Sequence, residues 1–292
     1  MALALAPNWY KSQAIAEQQG AGLTGTALSL HMLRIWAMAT PGRVLDQVWL
    51  TILAGGEGQR MRSFVERWLG HHRPKQYCAF VGTRSMFQHT VDRALQLIRP
   101  EHIIAVVAQH HREDVQDQLT DRHIGTVIHQ PDNRETAAGI FLALTYVHAE
   151  DPNRTVVIFP SDHFIYPEAC FLDLVRQAIA VTEALPDRLV LLGAEPDRLE
   201  LDYGWMVPGA LLPVSGSQTR VRGLTAFLEK PSPREADEAL RSGALWNTFV
   251  MAAKADTLWK LGWVCFPDVM SRFEPETGDR IAGRMPSVEH HL

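Results

Sequence analysis

From residue 48 onward, short apolar runs alternate with segments of helical spacing, and this alternation limits the fold more than any other feature. The runs are VWLTILA (48–54), HIIAVVA (102–108), TVIHQ (126–130), TVVIFP (155–160) and RLVLLGA (188–194). Continuous apolar runs of this length are typical of strands buried on both faces. Segments such as Thr136–Glu150 separate them with an apolar stripe at helical spacing. We therefore predict an α/β fold, with a mostly parallel sheet covered by helices on both faces.

The pattern changes at both ends of this region. After Ala194 the strands WMVPGALLPV, RVRGLTAFLEK and LWNTFVMAA follow one another without long crossovers, which predicts a mixed extension of the sheet. Residues 1–47 carry glycine clusters around a helical pattern at Ala27–Met38. We predict that residues 1–47 are an N-terminal extension, partly helical or disordered, and that residues 48–292 form one domain.

Composition excludes several classes of protein. Hydrophobic residues make up 46% and charged residues 21% of the chain, and the net charge of -5 argues against nucleic acid as a partner. The three cysteines, Cys78, Cys170 and Cys265, form no CxxC pair, which argues against a disulfide framework. No apolar run approaches the ~18 residues that span a bilayer, and the first residues lack a signal-peptide pattern. We expect a cytoplasmic protein with no membrane partner.

A glycine-rich loop follows the first buried strand. Gly55, Gly56 and Gly58 would let backbone N–H groups approach a ligand closely, which suits a phosphate chain. Arg60 and Lys75 would add a planar fork and a point charge. The spacing matches neither the dinucleotide fingerprint nor the P-loop. Taken alone, the loop is equally well interpreted as a tight strand-to-helix turn with surface cations.

Several motifs, in order, resemble one enzyme family. LAGGEGQR (53–60) with RPKQY (73–77) resembles LAGGxGxRLxPL…PKQ of the sugar-1-phosphate nucleotidyltransferases, most closely the mannose-1-phosphate guanylyltransferases. QPDNRETAAGI (130–140), FPSDHFI (159–165) and EPDRLELDYGWM (195–206) follow, and then FLEKP (227–231) and LWNTFVM (245–251). The resemblance implies a Rossmann-like three-layer sandwich of the nucleotide-diphospho-sugar transferase type for residues 48–292, with a C-terminus shorter than is usual.

The resemblance also implies an activity. An NTP, with GTP favoured, and a hexose 1-phosphate, with mannose 1-phosphate favoured, would give a nucleotide sugar and pyrophosphate, with Mg²⁺ as cofactor. In this interpretation, backbone around Leu53, Ala54 and the loop glycines binds the nucleotide phosphates. Arg60 holds the leaving phosphates, and Lys75 stabilises charge at the α-phosphate. These partners leave the oligomeric state open, a homo-oligomer included.

Other positions match the family's site motifs. Asp162 ends a strand at the ligand edge, where residues alone fit a magnesium ligand or a helix N-cap equally; the resemblance favours the metal and a catalytic role. Arg134 and Thr136 would bind the base or ribose, although Thr136 could equally be a helix-start residue. Sugar and sugar-phosphate binding is implied for a further set: Gly204, Glu229, Lys230 and Asn247.

The chain departs from the family at points that concern activity. Ser63 stands where a proline is usual, and Phe249 replaces the glycine of LWNSGM. A second metal aspartate is missing from its usual context, although Asp268 and Asp279 are available carboxylates. The alternative is therefore a catalytically degenerate nucleotide-sugar-binding protein of the same fold. A glycosyltransferase that uses a nucleotide sugar is a third, weaker hypothesis.

Paired histidines raise a separate question. The pairs are His71-His72, His110-His111 and His290-His291. They have no partner at metal-ligand spacing in the sequence, so we predict that they lie on solvated surface.

Overall fold

The computed structural model describes residues 2–5, 44–132, 134–214 and 220–273. Its strands are β1 (Ala2–Leu5), β2 (Val48–Ala54), β3 (Ile103–Ala108), β4 (Thr126–Gln130), β5 (Thr155–Pro160), β6 (Leu189–Ala194), β7 (Gly204–Leu211), β8 (Val221–Glu229) and β9 (Leu245–Lys254). Its α-helices are α1 (Arg62–Leu69), α2 (Met86–Leu95), α3 (Arg112–Gln118), α4 (Glu135–Glu150), α5 (Glu168–Ala184), α6 (Pro233–Arg241), α7 (Ala255–Cys265) and α8 (Pro267–Met270). The predicted strand-helix alternation is therefore confirmed.

Local sequence explains several of these boundaries. The β3 strand IIAVVA is buried at every position, as a central parallel strand requires. Helix α2 begins at a capping box in which the Ser85 hydroxyl accepts a bond from the Gln88 N–H and the Gln88 side chain accepts one from the Ser85 N–H. Helix α6 begins in the same way with Ser232 and Glu235, and a proline occupies its first turn.

The strands form one nine-stranded sheet in the order β4-β3-β2-β5-β9-β6-β1-β8-β7. The neighbours β4, β3, β2 and β5 are parallel, and β9 runs antiparallel to both β5 and β6. The β7 strand pairs with β8 and also with β9, through the Cα partners Trp205 and Trp246. Strands β9, β6, β1, β8 and β7 therefore close into a ring at one side of the sheet. The predicted mixed, mostly parallel sheet is confirmed.

Two hydrophobic cores cover the two faces of the sheet. On one face Leu50 and Ile52 of β2 pack with residues of α2 and α5, among them Phe87 and Ile179. On the other face Ile104 and Val106 of β3, together with Ile158 of β5, pack with residues of α4 and α7, including Leu144 and Leu258. Alternate residues of a strand point to opposite faces, so the buried runs supply both cores. The architecture is the predicted three-layer sandwich.

The first residues differ from the prediction. Ala2–Leu5 forms β1, which pairs in parallel with β6 and antiparallel with β8. An appended extension is therefore wrong for residues 2–5, whose backbone belongs to the sheet. Strand pairing across a long sequence separation leaves no local pattern from which it could be predicted. The helix predicted at residues 27–38 lies outside the described residues. No helix in the described part of the chain has the length and apolar character needed to cross a membrane.

The order β4-β3-β2-β5 fixes where a ligand can bind. Chain direction is the same in all four strands, so their carboxyl ends meet at one edge of the sheet. Strand β2 has β3 on one side and β5 on the other, so the order of the strands reverses at β2. A position of this kind is a topological switch point. The loops that follow β2, β4 and β5 meet there.

Candidate active site

The glycine loop, residues 55–58, requires glycine at its last position. Gly58 has a φ of 62°, in the left-handed region that favours glycine. A Cβ placed there would lie 2.8 Å from the backbone nitrogen of Lys75. Glycine therefore allows the segment that carries Lys75 to lie directly against the loop.

Two side chains that follow Lys75 hold the loop in place. Gln76 Nε2 donates to the carbonyl oxygens of Ala54, at 3.0 Å, and Gly56, at 2.6 Å. The Tyr77 hydroxyl donates to the same Ala54 oxygen at 2.9 Å. Burial raises the pKa of Tyr77, so its hydroxyl keeps the proton that it donates. Because both side chains are buried, the PKQY segment acts as a brace for the loop.

The ammonium of Lys75 lies at the end of β5. Its Nζ forms an ion pair with Asp162 Oδ2, and the two side chains are 40% and 25% exposed. The neighbouring Ser161 N–H donates to the Leu53 carbonyl at 3.1 Å, which ties this loop to the end of β2. A lysine and a carboxylate therefore meet beside the glycine loop, and both are partly exposed to solvent.

A cleft of about 270 Å³ lies between these groups. Its lining residues are Leu53, Gly55, Gly56, Gly58, Lys75, Gln76, Val106, Gln130, Glu135, Thr136, Gly139, Pro160, Ser161, Asp162 and Phe249. Most of the predicted nucleotide-binding residues are in this set. Ala54 is instead buried behind it, where its carbonyl accepts the two brace bonds.

Several lining residues were not predicted from the sequence. Gln130 ends β4 and is 7% exposed, and Phe249 comes from the middle of β9. The position of Gln130 at the carboxyl end of a buried strand was an available signal, since ligands bind at such ends. Phe249 was noted only as a departure from the family motif, because which residues of an antiparallel strand reach the cleft depends on long-range register.

Two predicted cations are not among the lining residues. Arg60 is exposed and lies in the 3₁₀ turn Gln59–Met61. Arg134 is 74% exposed, and its Nη2 pairs with Asp132 Oδ2 at 3.1 Å. Lys75 therefore lines the described cleft, whereas neither arginine does.

The predicted sugar-binding residues lie on or next to strands β7, β8 and β9. Gly204 and Glu229 are cross-strand partners, and a Cβ at Gly204 would lie 3.0 Å from Glu229 Oε2. Lys230 is exposed and has a φ of 47°. Asn247 lines a second, wider cavity of about 450 Å³, together with Phe227. We refer to Gly204, Glu229, Lys230 and Asn247 as the sugar side.

Phe249 has a backbone conformation that is rare for its residue type. Its φ is 60°, and its N–H donates to Asn247 Oδ1 at 3.0 Å. A left-handed conformation costs a non-glycine residue about 1–2 kcal/mol. The glycine of the motif that LWNTFVM resembles falls at this position, so the backbone keeps a conformation suited to glycine while a phenyl ring lines the cleft.

The surroundings of Asp162 exclude the interpretation that it is a helix N-cap. Helix α5 has Pro167 at its N-cap, so Asp162 does not cap it. Its carboxylate contacts Lys75 and lies 3.9 Å from His163 Nε2. Burial lowers the pKa of His163, and so do the charges of Lys75 and Arg93, while Asp162 opposes them. A neutral His163 leaves the Asp162 carboxylate available to a cation.

The donor set at this edge fits a magnesium ion bound together with its substrate. Mg²⁺ prefers carboxylate oxygen and keeps several water or phosphate ligands, so one protein carboxylate is enough. Asp162 and Glu135 are the carboxylates among the lining residues of the described cleft. Asp268 lies in α8 and is exposed, and Asp279 lies outside the described residues.

Comparison with known proteins settles which family has this fold and these motifs. The nucleotidyl transferase family matches residues 50–262, which is most of the chain. This chain belongs to the nucleotidyl transferase family. The predicted resemblance to sugar-1-phosphate nucleotidyltransferases is thereby confirmed.

Two curated proteins illustrate what this chain is similar to. The chain is 28% identical over 207 residues to the alginate biosynthesis protein AlgA of Pseudomonas aeruginosa, covering 70% of this chain and 41% of that protein. It is 30% identical over 209 residues to a mannose-1-phosphate guanylyltransferase of Salmonella montevideo, covering 70% and 42%. The matched region spans about two fifths of the length of these curated relatives.

Solved structures agree with the family. A Thermus thermophilus protein, described as a mannose-1-phosphate geranyltransferase, superposes with a TM-score of 0.63 at 25% identity, covering 78% of this chain and 63% of that one. A putative glucose-1-phosphate thymidylyltransferase of Bacillus anthracis has a TM-score of 0.55 at 16% identity, covering 77% and 78%. The second likeness concerns the fold alone.

Proposed function

We propose that this protein transfers a nucleotidyl group from an NTP to a hexose 1-phosphate, giving a nucleotide sugar and pyrophosphate. One observation carries the proposal: the Lys75 ammonium pairs with the Asp162 carboxylate beside a loop whose geometry requires glycine at Gly58. A cation, a carboxylate and free backbone at one sheet edge are the groups that phosphoryl transfer needs. GTP and mannose 1-phosphate are the first choice, supported by the relatives at 28–30% identity.

The reaction is a displacement at the α-phosphorus of the NTP. A phosphate oxygen of the sugar 1-phosphate forms the new bond to phosphorus, and the α–β bond breaks with its electron pair leaving on pyrophosphate. Both reactants are anions, so catalysis consists mainly of positioning and of neutralising charge. In the proposed reaction Lys75 approaches the α-phosphate, and the amides of Gly55, Gly56 and Gly58 bind the phosphate chain.

The remaining candidate residues, Gln130 among them, divide between base and sugar. Thr136 lies in the first turn of α4 and lines the cleft, as a residue near the ribose or base would. Gln130, buried at the end of β4, presents a carboxamide that can donate and accept hydrogen bonds with a base. Glu229 and Asn247 would accept bonds from sugar hydroxyls, and Lys230 would contact the sugar phosphate. Arg60 and Arg134 would need to move inward to reach a nucleotide.

Asp162 is the residue that would hold Mg²⁺. When bound, the ion would neutralise phosphate oxygens and help to orient them for displacement. The Lys75–Asp162 ion pair balances the charge of the two groups. With substrate bound, the Lys75 ammonium would contact a phosphate, and the Asp162 carboxylate would be the group that holds the ion.

A substrate matrix tests the proposal. Pyrophosphate release would be measured on the full chain with GTP, ATP, CTP, UTP and dTTP, each paired with mannose 1-phosphate and glucose 1-phosphate, at millimolar Mg²⁺. We expect the highest kcat/KM for GTP with mannose 1-phosphate. Another preferred pair would change the specificity and keep the reaction class, whereas no release with any pair would refute transfer.

A second candidate function is a nucleotide-sugar-binding protein without turnover. Phe249 favours it, because a phenyl ring lines the cleft at a position with a glycine-type backbone. Calorimetry with GDP-mannose on the same preparation separates the two. Tight binding without pyrophosphate release would support the binding protein, and turnover would exclude it.

A further inference from the structure

Glu57, His110 and His111 form a cluster beside the glycine loop, and the sequence-based expectation of solvated surface is wrong there for His111. Solvated surface was predicted for both, but His111 is 3% exposed. The partner that the sequence did not reveal is Glu57, which lies between two glycines of the loop. His110 Nε2 lies 2.8 Å from Glu57 Oε1, and His111 Nε2 lies 3.8 Å from Glu57 Oε2.

From this cluster the geometry points to a binding site for a divalent transition metal ion, with Zn²⁺ as the best-fitting class. One ligand atom from each residue can be chosen so that all three lie within 4.8 Å of one another. Ligands of a tetrahedral zinc ion are about 3.4 Å apart, given bond lengths near 2.1 Å. Side-chain movements of a few tenths of an ångström to about an ångström would bring the three atoms around one ion.

The unsatisfied nitrogens of His111 are an independent reason to expect a ligand. Both ring nitrogens are buried, and neither has a hydrogen-bond partner in the described structure. A buried polar group without such a partner is costly, and it calls for an explanation. The ring also packs edge-on against Tyr77, with centroids 5.2 Å apart, so it cannot turn freely to find one. An ion bonded to Nε2 would satisfy one of these nitrogens.

Two neighbouring histidines add to the geometric argument. Both ring nitrogens of His72 are also buried without a hydrogen-bond partner, which offers a further nitrogen near the cluster. His110 is 58% exposed, so solvent can reach the ion and complete its coordination.

The donor set distinguishes this site from the magnesium site. Two imidazoles and one carboxylate suit zinc, cobalt or iron(II), whereas Mg²⁺ prefers oxygen alone. The location also gives the site a consequence, because Gly56 and Gly58 line the cleft on either side of Glu57. An ion held by Glu57 and the two histidines would tie the glycine loop to the turn that follows β3.

Metal titration without nucleotide tests this inference directly. Zn²⁺ binding would be followed by calorimetry, and Co²⁺ binding by its visible absorption, on the full chain purified with chelator. We expect one equivalent at this site, insensitive to millimolar Mg²⁺. Glu57→Gln and His110→Ala change partly exposed side chains and should fold, and each should weaken binding at least about 10-fold. Unchanged affinity in both variants, or no saturable binding by the unaltered chain, would overturn the site.

Matched controls keep other histidines out of the result. His71→Ala alters the histidine of another pair whose Nδ1 contacts the Leu69 carbonyl at 3.2 Å, and it should bind the ion normally. A His290→Ala/His291→Ala double variant removes the C-terminal pair and should also bind normally. Loss of the single equivalent in either control would assign the ion elsewhere. Asp162→Asn should keep the site too, so the outcome does not depend on nucleotidyl transfer.

Discussion

The glycine loop and the sugar side differ in how firmly their functional groups are held. Around the loop, two buried side chains donate three hydrogen bonds to the carbonyls of Ala54 and Gly56, and Lys75 is paired with Asp162. On the sugar side Glu229 and Lys230 are exposed, and their neighbour Phe227 is 45% exposed. Under the proposed function, this difference corresponds to a preformed phosphate site next to a sugar site that is completed by its ligand.

Substitutions around the glycine loop and on the sugar side test this contrast, and the largest expected effect is at Lys75. Lys75→Ala removes the cation proposed to stabilise charge at the α-phosphate, so kcat should fall by about 10²–10³-fold. Pyrophosphate release measures it, and circular dichroism should show an intact fold. Lys260→Ala is the control, since that lysine is 74% exposed and pairs with Asp256 within one helix. Full activity in Lys75→Ala would refute its assigned role.

Asp162→Asn should have the next largest effect. An amide is a poorer magnesium ligand than a carboxylate, so the Mg²⁺ concentration for half-maximal rate should rise by about 10-fold or more. Rates measured across a magnesium titration give this value. Asp268→Asn, at an exposed position of α8, is the matched control and should leave the titration unchanged. If only the control shifted, the metal carboxylate would have to be reassigned.

On the sugar side, Glu229→Gln should change sugar binding alone. Loss of the charged acceptor should raise KM for the sugar 1-phosphate by about 10-fold, which corresponds to one charge-assisted hydrogen bond. KM for the nucleotide should stay constant, because the phosphate site is held separately. Initial rates at varied concentrations of each substrate distinguish the two, with Glu238→Gln as an exposed control. Equal shifts in both KM values would show that the glycine loop and the sugar side are coupled.

The smallest effect concerns the brace. Tyr77→Phe removes one buried hydrogen bond and should lower the free energy of unfolding by about 1 kcal/mol. Urea denaturation measures this, and Tyr166→Phe is the control because Tyr166 is 84% exposed. A change no larger than that of the control would mean that the Tyr77 bond does not stabilise the fold.

The same contrast explains what the sequence could reveal. Lys75, Asp162 and the glycines were predictable because each follows directly from a motif at the end of a buried parallel strand. Gln76 and Tyr77 lie in the same motif, yet their role as a brace depends on distances that no pattern contains. The position of Phe249 in the cleft, the strand β1 and the Glu57–His110–His111 cluster were missed for one reason. Each joins segments far apart in sequence, through register or side-chain packing that only the folded chain defines.

β1 has a consequence for how the molecule is assembled during synthesis. Ala2–Leu5 completes the ring of strands by entering between β6 and β8, which are made much later. β1 is synthesised before β6 and β8, so it can pair only after both of those strands have been made. This pairing closes a very long loop of the chain. Until β1 pairs, the facing edges of β6 and β8 are unpaired and can pair with another nascent chain. Removal of residues 2–5 would leave these edges of β6 and β8 unpaired in the folded protein as well.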